Sequence, residues 1–303
     1  MALDVSVIFV NYKTLAVLVP AIDSVLEKSE GFSYEVIVVD NHSEDDSERI
    51  LKERYGERVT YLSLSENVGF GRANNEGIRK AHGRNILFLN PDTLLINNAI
   101  KILCDYLDVH PSVGAVGGNL YSLDMKPNFS FSRILPSIFT ETDQATFRML
   151  SRLRFGRNSI FNYTQHPIEV GFVSGANIMI PFKVLADVGN FDPDFFMYYE
   201  ETELCSRIRK SGRKIVNVPS ARIIHLEGKS FVNNIGRERR SLVSRRLYYS
   251  KTHSIGYACL ANINYRMWIN IALFYYGIRS DKANIEKFRQ RKMLFDEINT
   301  SAS

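Results

Sequence analysis

Five acidic or imidazole positions stand where ordinary folding gives them little to do. In ILFLNPDTLL, an apolar run breaks at Asn90-Pro91-Asp92-Thr93 and resumes at once. A lone carboxylate there suits a hard divalent cation, Mg²⁺ or Mn²⁺, which prefers carboxylate oxygen and bridges substrate phosphates. A Pro-Asp-Thr turn can also cap a helix. Asp40 ends YEVIVVD and is followed by Asn41 and Ser43. An acid at a strand end can bind a nucleotide base or ribose, or cap the following turn. In FFMYYEETELC, Glu200, Glu201 and Glu203 crowd the start of a helical pattern. Such acids complement the helix dipole, and Glu203 can pair with Arg207 four residues on. That leaves Glu200 and Glu201, where desolvation would raise a carboxylate toward general-base duty. His225 ends the apolar run ARIIH and gains meaning if it shares a cation with Asp92.

A glycine-rich stretch, ENVGFGRANNEG (Glu66 to Gly77), reads as a loop entering a helix. Asn74 occupies the place of the last glycine of GxGxxG, and the stretch follows the third strand, so a dehydrogenase reading is weak. A helix N-terminus at Gly69 with Arg72 nearby can still meet a diphosphate. No P-loop occurs, and Val173 stands where a nucleophile elbow requires Ser.

The elements that must position these residues follow a regular alternation. VSVIFV (Val5 to Val10), YEVIVVD (Tyr34 to Asp40), Val59 to Leu64 and Asn85 to Leu89 read as strands buried on both faces. Helical patterns fall between them, at Leu15 to Lys28, Ser43 to Tyr55 with Ser43 as cap, and Gly69 to His82. This is the pattern of βαβ units and a doubly wound parallel sheet. Ligands of such sheets bind at the carboxyl ends of the strands, where Asn11-Tyr12, Asp40-Asn41 and Asn90-Pro91-Asp92 all fall. Residues 119 to 168 look irregular, with a basic run from Arg148 to Arg157, and read as a mobile acceptor-side insertion. Regular patterns return at Val170 to Ile180 and near Phe182 to Val188.

At 303 residues and 45% hydrophobic, the chain has room for one large domain or two modest ones. Its three cysteines are isolated, which argues against a disulfide framework or zinc site and for a reducing compartment. The start, MALDVSVIFVNYK, lacks a basic leader, and the apolar stretch from Met267 to Ile278 is too short to cross a bilayer. The expected location is cytoplasmic, at the inner face of the cell membrane. Between Lys229 and Lys251 there are seven Lys/Arg and one acid, with Tyr248, Tyr249, Tyr257, Trp268, Phe274, Tyr275 and Tyr276 interleaved or following. Basic, aromatic helices suit an anionic membrane surface. The same features also fit a solvated helical face. Nucleic acid is not an expected partner, because no RNP-like motif accompanies them.

Taken together, VSVIFVNYK, VIVVDNHSEDDS, ENVGFGRANNEGIRKAHG, ILFLNPDT, FVSGANIMI, GNFDPDFFMYYEETELCSRIRKSG and IIHLEGKS resemble the family 2 glycosyltransferases. The nearest branch is the bacterial rhamnosyltransferase-like one. The resemblance spans roughly residues 4 to 230. It implies a GT-A fold, with a Rossmann-like, mostly parallel sheet flanked by helices and a helical C-terminal extension. The implied division is a catalytic domain over 1–228, with a nucleotide-sugar half to about 115 and an acceptor half from 116, and an extension over 229–303. The resemblance makes Asp92 the last acid of a DXD-type motif, reduced here to Asn90-Pro91-Asp92, on the metal that bridges the donor diphosphate. It puts Asp40 on the nucleotide base, Asn11 and Tyr12 in the same pocket, and Asn75 at the donor site. Glu201 takes the place of the catalytic base, usually Asp in that family, with Glu200 the other candidate. His225 resembles a histidine that reaches the metal or diphosphate. The implied partners are a dTDP- or UDP-sugar and a glycan or lipid-linked acceptor. The rival readings are a sugar nucleotidyltransferase, which would carry glycines after the first strand, and a nucleotide-binding scaffold without turnover.

Overall fold

The computed structural model describes residues 3–146, 148–226 and 234–300. Its contacts divide the chain into two compact units. One holds residues 1–133, 157–196 and 200–230; the other holds 134–156, 197–199 and 231–303. The boundary expected at 228–229, and Lys229 with it, lies outside the described residues.

The larger unit is built on a nine-stranded sheet and a separate two-stranded pair among the described residues. In chain order its elements are β1 (Leu3–Asn11), α1 (Leu15–Lys28), β2 (Tyr34–Asp40), α2 (Ser47–Tyr55), β3 (Val59–Ser63), α3 (Phe70–Lys80) and β4 (Gly83–Leu89). Then come β5 (Thr93–Leu95), α4 (Ala99–Val109), β6 (Val113–Tyr121) and β7 (Phe131–Ser132). After residues of the other unit, the chain returns as β8 (Ile168–Val170), β9 (Phe172–Val173), β10 (Asn177–Pro181), α7 (Phe182–Val188), α8 (Glu200–Lys210) and β11 (Lys214–His225). The main sheet runs β3-β2-β1-β4-β10-β6-β11-β5, with β8 on β11; β7 and β9 form a separate pair. The first four strands are parallel, as their apolar runs predict. β10 then enters antiparallel to both β4 and β6, so the sheet as a whole is mixed.

The pleat explains why these strands must be apolar throughout. Val5, Val7, Phe9, Val36, Val38 and Leu87 join one core with Leu18, Ala21, Ile22 and Val25 of α1 and Leu103 of α4. Ile8, Ile37 and Phe88 alternate with them and are equally buried, so the opposite face is covered too. The α1 set recurs at the three- and four-residue spacing of one helix face. The second helix starts at Ser47, four residues later than its sequence pattern suggests. Ser43 does not cap it: its hydroxyl instead accepts from the Lys13 amide at 2.9 Å and from Asn11 at 3.1 Å.

The smaller unit consists of α5 (Ile138–Ala145), α6 (Met149–Phe155), α9 (Asn234–Thr252), α10 (Ile255–Ile278) and α11 (Lys282–Thr300), together with the turn 197–199. Much of the stretch that reads as irregular is therefore helical. The capping box of α5, Ser137 with Thr140, lacks the acidic residue that makes such a box conspicuous. Glu141 of α5 is buried against Arg245 at 2.9 Å and the Tyr249 hydroxyl at 2.8 Å, partners more than a hundred residues away. Leu242, Tyr265, Ile269, Ala272, Phe288, Phe295 and Ile298 form this unit's core.

Candidate active site

The Asn90-Pro91-Asp92 turn does not lead into a helix. The Asn90 carbonyl accepts from the Thr93 amide and from the Thr93 hydroxyl at 2.7 Å, closing a tight turn. The chain continues as β5, antiparallel to β11, with Thr93 opposite His225. The helix-cap reading of Asp92 is therefore excluded. The Leu226 amide donates to the Asp92 carbonyl at 2.9 Å. This pairing brings His225 Nε2 to 3.3 Å from Asp92 Oδ1, with Asp92 only 5% exposed. Two residues 133 positions apart thus form one oxygen-and-nitrogen pair, as their types suggest. Among the described residues no cluster of three or more His, Cys, Asp or Glu is poised to hold a metal. A pair still suits a cation whose remaining positions are filled by diphosphate oxygens and water.

Glu201 reaches this neighbourhood through the strand on the other side of β4. Leu89 pairs with Asn177, and the Asn90 amide donates to the Ala176 carbonyl at 3.0 Å. The adjoining Gly175 has no side chain; a Cβ there would stand 3.4 Å from Glu201 Cγ. Residues 174–177 thus touch both the Asp92 turn and Glu201. Their small side chains, Ser174-Gly175-Ala176, are the one sequence signal for this close approach. Glu200 turns the other way, its Cβ standing 3.7 Å from where a Gly71 Cβ would be, on α3.

The electrostatics follow from that packing. Burial, and then the charge of Glu201, hold the Glu200 carboxyl well above the usual carboxylate range. Its Oε2 is buried with no hydrogen-bond partner among the described residues. Burial also raises Glu201, although backbone N–H groups at the start of α8 and the Thr202 hydroxyl favour its charged form. Glu203 is spent as expected: both its oxygens accept from Arg207 Nε at 2.8 and 2.9 Å. Just ahead of α8, Tyr198 and Tyr199 adopt left-handed backbone, φ 72° and 67°, which nothing in their residue types foretells.

The β1 and β2 ends form a second cluster. Asn11 is fully buried, and its amide nitrogen donates to Asp40 at 2.7 Å, Ser43 at 3.1 Å and Ser47 at 3.0 Å. Its oxygen accepts from the Thr14 amide and hydroxyl. No polar atom of Asn11 is left over for a ligand. Asp40 accepts from Asn11 on one oxygen and from the Ser43 amide on the other. Tyr12 is half-buried, with the Lys13 ammonium 5.7 Å from its ring centre. Asn41 binds Asn67 at 2.9 Å and accepts from the Val68 amide, tying this edge to the glycine-rich loop.

That loop is spent on the protein itself. Gly69 has φ 87°, and a Cβ there would stand 2.3 Å from the Phe196 carbonyl oxygen. The Phe70 amide donates to that carbonyl at 2.8 Å. Arg72 Nε donates to the Pro193 carbonyl at 2.7 Å. Both ends of the Asn75 amide bind the Phe191 backbone. Gly69, Arg72 and Asn75, read from the sequence as donor contacts, here anchor residues 191–196, the approach to α8.

The model of glycosyl transferase family 2 matches residues 6–189. The chain belongs to that family. It is a glycosyltransferase, and of the segments just described residues 191–199, α8 and β11 lie beyond the matched residues. The family member is 27% identical over 212 residues to the N-acetylglucosaminyl-diphospho-decaprenol L-rhamnosyltransferase of Mycobacterium tuberculosis, across 64% of this chain and 67% of that one. Two solved structures share its fold. Mannosyltransferase PcManGT from Pyrobaculum calidifontis, in complex with GDP-Man and Mn²⁺, superposes with TM-score 0.58 at 15% identity, covering 100% of this chain and 86% of that one. GalNAc-T7, solved with UDP, GalNAc and Mn²⁺, gives TM-score 0.62 at 16% identity over 82% of this chain. The family 2 chain spans about half, 48%, of GalNAc-T7. The GT-A architecture is thereby established, with a parallel half, a mixed half and a helical C-terminal region.

Proposed function

We propose that the chain is a metal-dependent, inverting glycosyltransferase that moves a sugar, rhamnose being the first candidate, from a dTDP- or UDP-sugar. The acceptor is a glycan or lipid-linked saccharide in cell-surface polysaccharide synthesis on the cytoplasmic side, with peripheral contact to the membrane. The observation that carries this reading is the shared contact of residues 174–177 with the Asp92 turn and with Glu201. The similarity to a rhamnosyltransferase acting on a decaprenol-linked sugar supports the substrate classes.

Asp92 and His225 would hold Mg²⁺ or Mn²⁺; the carboxylate oxygen suits both ions, and the imidazole nitrogen suits the softer Mn²⁺ better than Mg²⁺. When bound, such a cation neutralises charge on the departing diphosphate. Glu201 takes the proton from the acceptor hydroxyl. That oxygen forms its bond to the anomeric carbon as the carbon–oxygen bond to the diphosphate breaks, the electron pair leaving with the diphosphate. Attack opposite the leaving group inverts the anomeric centre. We assign Glu201, not Glu200, as the base because it lies against Gly175, whereas Glu200 faces α3. Asp40, which also meets the Tyr61 hydroxyl, would accept from a pyrimidine N3–H with its remaining acceptor capacity. Tyr12 offers a ring for the base, and half-buried Asn90 flanks the diphosphate. Asn11, Asn41, Gly69, Arg72 and Asn75 act by fixing the loops that carry these groups.

The test is nucleoside diphosphate release from a panel of sugar nucleotides with Mg²⁺ or Mn²⁺ and a lipid-linked acceptor, with the product anomer read by NMR. Turnover with inversion is expected. Tight nucleotide binding with no turnover of any donor would favour the scaffold reading instead.

A further inference from the structure

Within the smaller unit, α10 is buried on one side and bare on the other. Ala261, Tyr265, Ile269 and Ala272 are buried. On the far side Leu260, Ile263, Met267, Ile271, Phe274 and Ile278 are exposed, from 40% at Ile271 to 72% at Phe274. Their steps of three and four residues repeat every eleven, about 3.67 per turn, so the side chains stay in one straight line along the helix. At 1.5 Å per residue the line is about 27 Å long. In 24 residues α10 has one charged side chain, Arg266, and that binds Asp296 at 3.0 Å. A continuous apolar strip of this length marks a surface that meets something.

Charge decides what it meets. Residues 234–300 hold thirteen Lys/Arg and five Asp/Glu, a net of +8, while the whole chain is +5; the remainder is therefore −3. Three of the five acids are consumed within the unit: Glu238 with Arg291, Asp296 with Arg266 and Glu297 with Arg239. Arg279 and Lys282, both exposed, follow the end of the strip. A second copy would bring a segment of +8 against a segment of +8, which opposes association of two such units. An anionic lipid surface reverses the sign and adds attraction for each Lys or Arg near it. Among the described residues no helix is long and apolar enough to cross a membrane, so the fitting geometry is a helix lying in the interface.

We propose that α10 lies flat in the headgroup layer of an anionic membrane, with the Leu260–Ile278 strip turned toward the acyl chains and the flanking basic residues on the headgroups. This deepens the membrane contact proposed above by naming its surface, and it rests on that reading only for its purpose. Binding is read without any sugar nucleotide, so failure of the transferase reading and failure of this one are separate results.

The experiment is flotation of the full chain with vesicles of phosphatidylcholine alone and of phosphatidylcholine mixed equally with phosphatidylglycerol. Co-flotation is expected with the anionic vesicles and is expected to weaken as salt rises. Ile263→Ser with Phe274→Ser should weaken it about tenfold or more, since two large apolar side chains are lost from the buried line. The substituted residues are exposed, so the melting curve should match the parent. A second variant, Arg279→Glu with Lys282→Glu, should weaken binding while leaving the strip intact. Absence of flotation with anionic vesicles, or equal flotation of the parent and the Ser variant, would overturn the proposal. So would a dimer by light scattering that the Ser variant dissociates, without vesicle binding, which would assign the strip to a second copy.

Discussion

Two clusters of buried polar residues sit at the strand ends, and they are built differently. In the Asn11–Asp40–Asn41 cluster nearly every donor and acceptor meets another protein group. In the other set two buried acids have few partners: Asp92 has His225, and Glu200 Oε2 has none among the described residues. A buried polar atom without a partner costs free energy, so it persists where something other than stability selects it. The first cluster is mostly spent on the protein itself, with Asp40 the one member proposed to reach a ligand. The second is the set to which we assign the reaction.

The sharpest way to break this contrast is to substitute isosterically in the second cluster. Glu201→Gln should lower transfer by about a hundredfold or more, the range in which base removal acts, and Asp92→Asn should lower it comparably by removing the anionic ligand of the cation, each with the melting curve unchanged. Rates near the parent's would remove both assignments. The first cluster should respond the opposite way. Asn11→Ala strands Asp40 and the Thr14 groups, an expected loss of about 2–3 kcal/mol, measured by urea unfolding; in the remaining folded protein the loosened Asp40 should raise KM for the donor while kcat changes little. Gly69→Ala combines a left-handed backbone with a 2.3 Å approach to the Phe196 carbonyl. It should cost at least ~1–3 kcal/mol. It should also lower turnover, because residues 191–196 lead into α8.

The pH responses sharpen the comparison further. As the proposed base, Glu201 would work only when ionised, and burial raises it. The acid limb of kcat/KM should therefore lie above the ordinary carboxylate range, and Glu201→Asp should move it. A limb at the ordinary carboxylate value would point to a solvated base elsewhere. The smallest effect concerns Glu200. Its folded state holds the proton more tightly than the unfolded chain. That contribution to stability is complete below the ordinary carboxylate range and is lost as pH rises through the raised folded value. Glu200→Gln stays neutral, so it should melt higher than the parent at neutral pH and lose that advantage in acid. A lower melting point at neutral pH would show that Glu200 carries a stabilising charge.

Much of the fold could be read directly. Leu15–Lys28, Tyr34–Asp40 and Phe182–Val188 match their elements residue for residue, because apolar periodicity is a local signal and these segments bury what the pattern says they bury. The stretch from 134 to 156 could not be read, because α5 is held by Arg245 and Tyr249, whose contribution no local window contains. The glycine-rich loop was legible as a loop entering a helix, but not as an anchor for residues 191–196, whose backbone carbonyls carry no sequence signal.

By itself, the sequence determined which residues have the chemistry: a carboxylate behind a proline, a histidine at a strand end, two acids opening a helix. It also determined the alternation that delivers strand ends to one edge. Only the tertiary structure decided which of those residues meet. Asp92 finds His225 because β5 pairs antiparallel with β11, and Glu201 finds the same neighbourhood because β10 inserts beside β4 and leaves Gly175 against it. It also decided which groups were already taken. Pairing register and packing are long-range properties, and the partners they select lie too far apart in the chain for residue type and spacing to name.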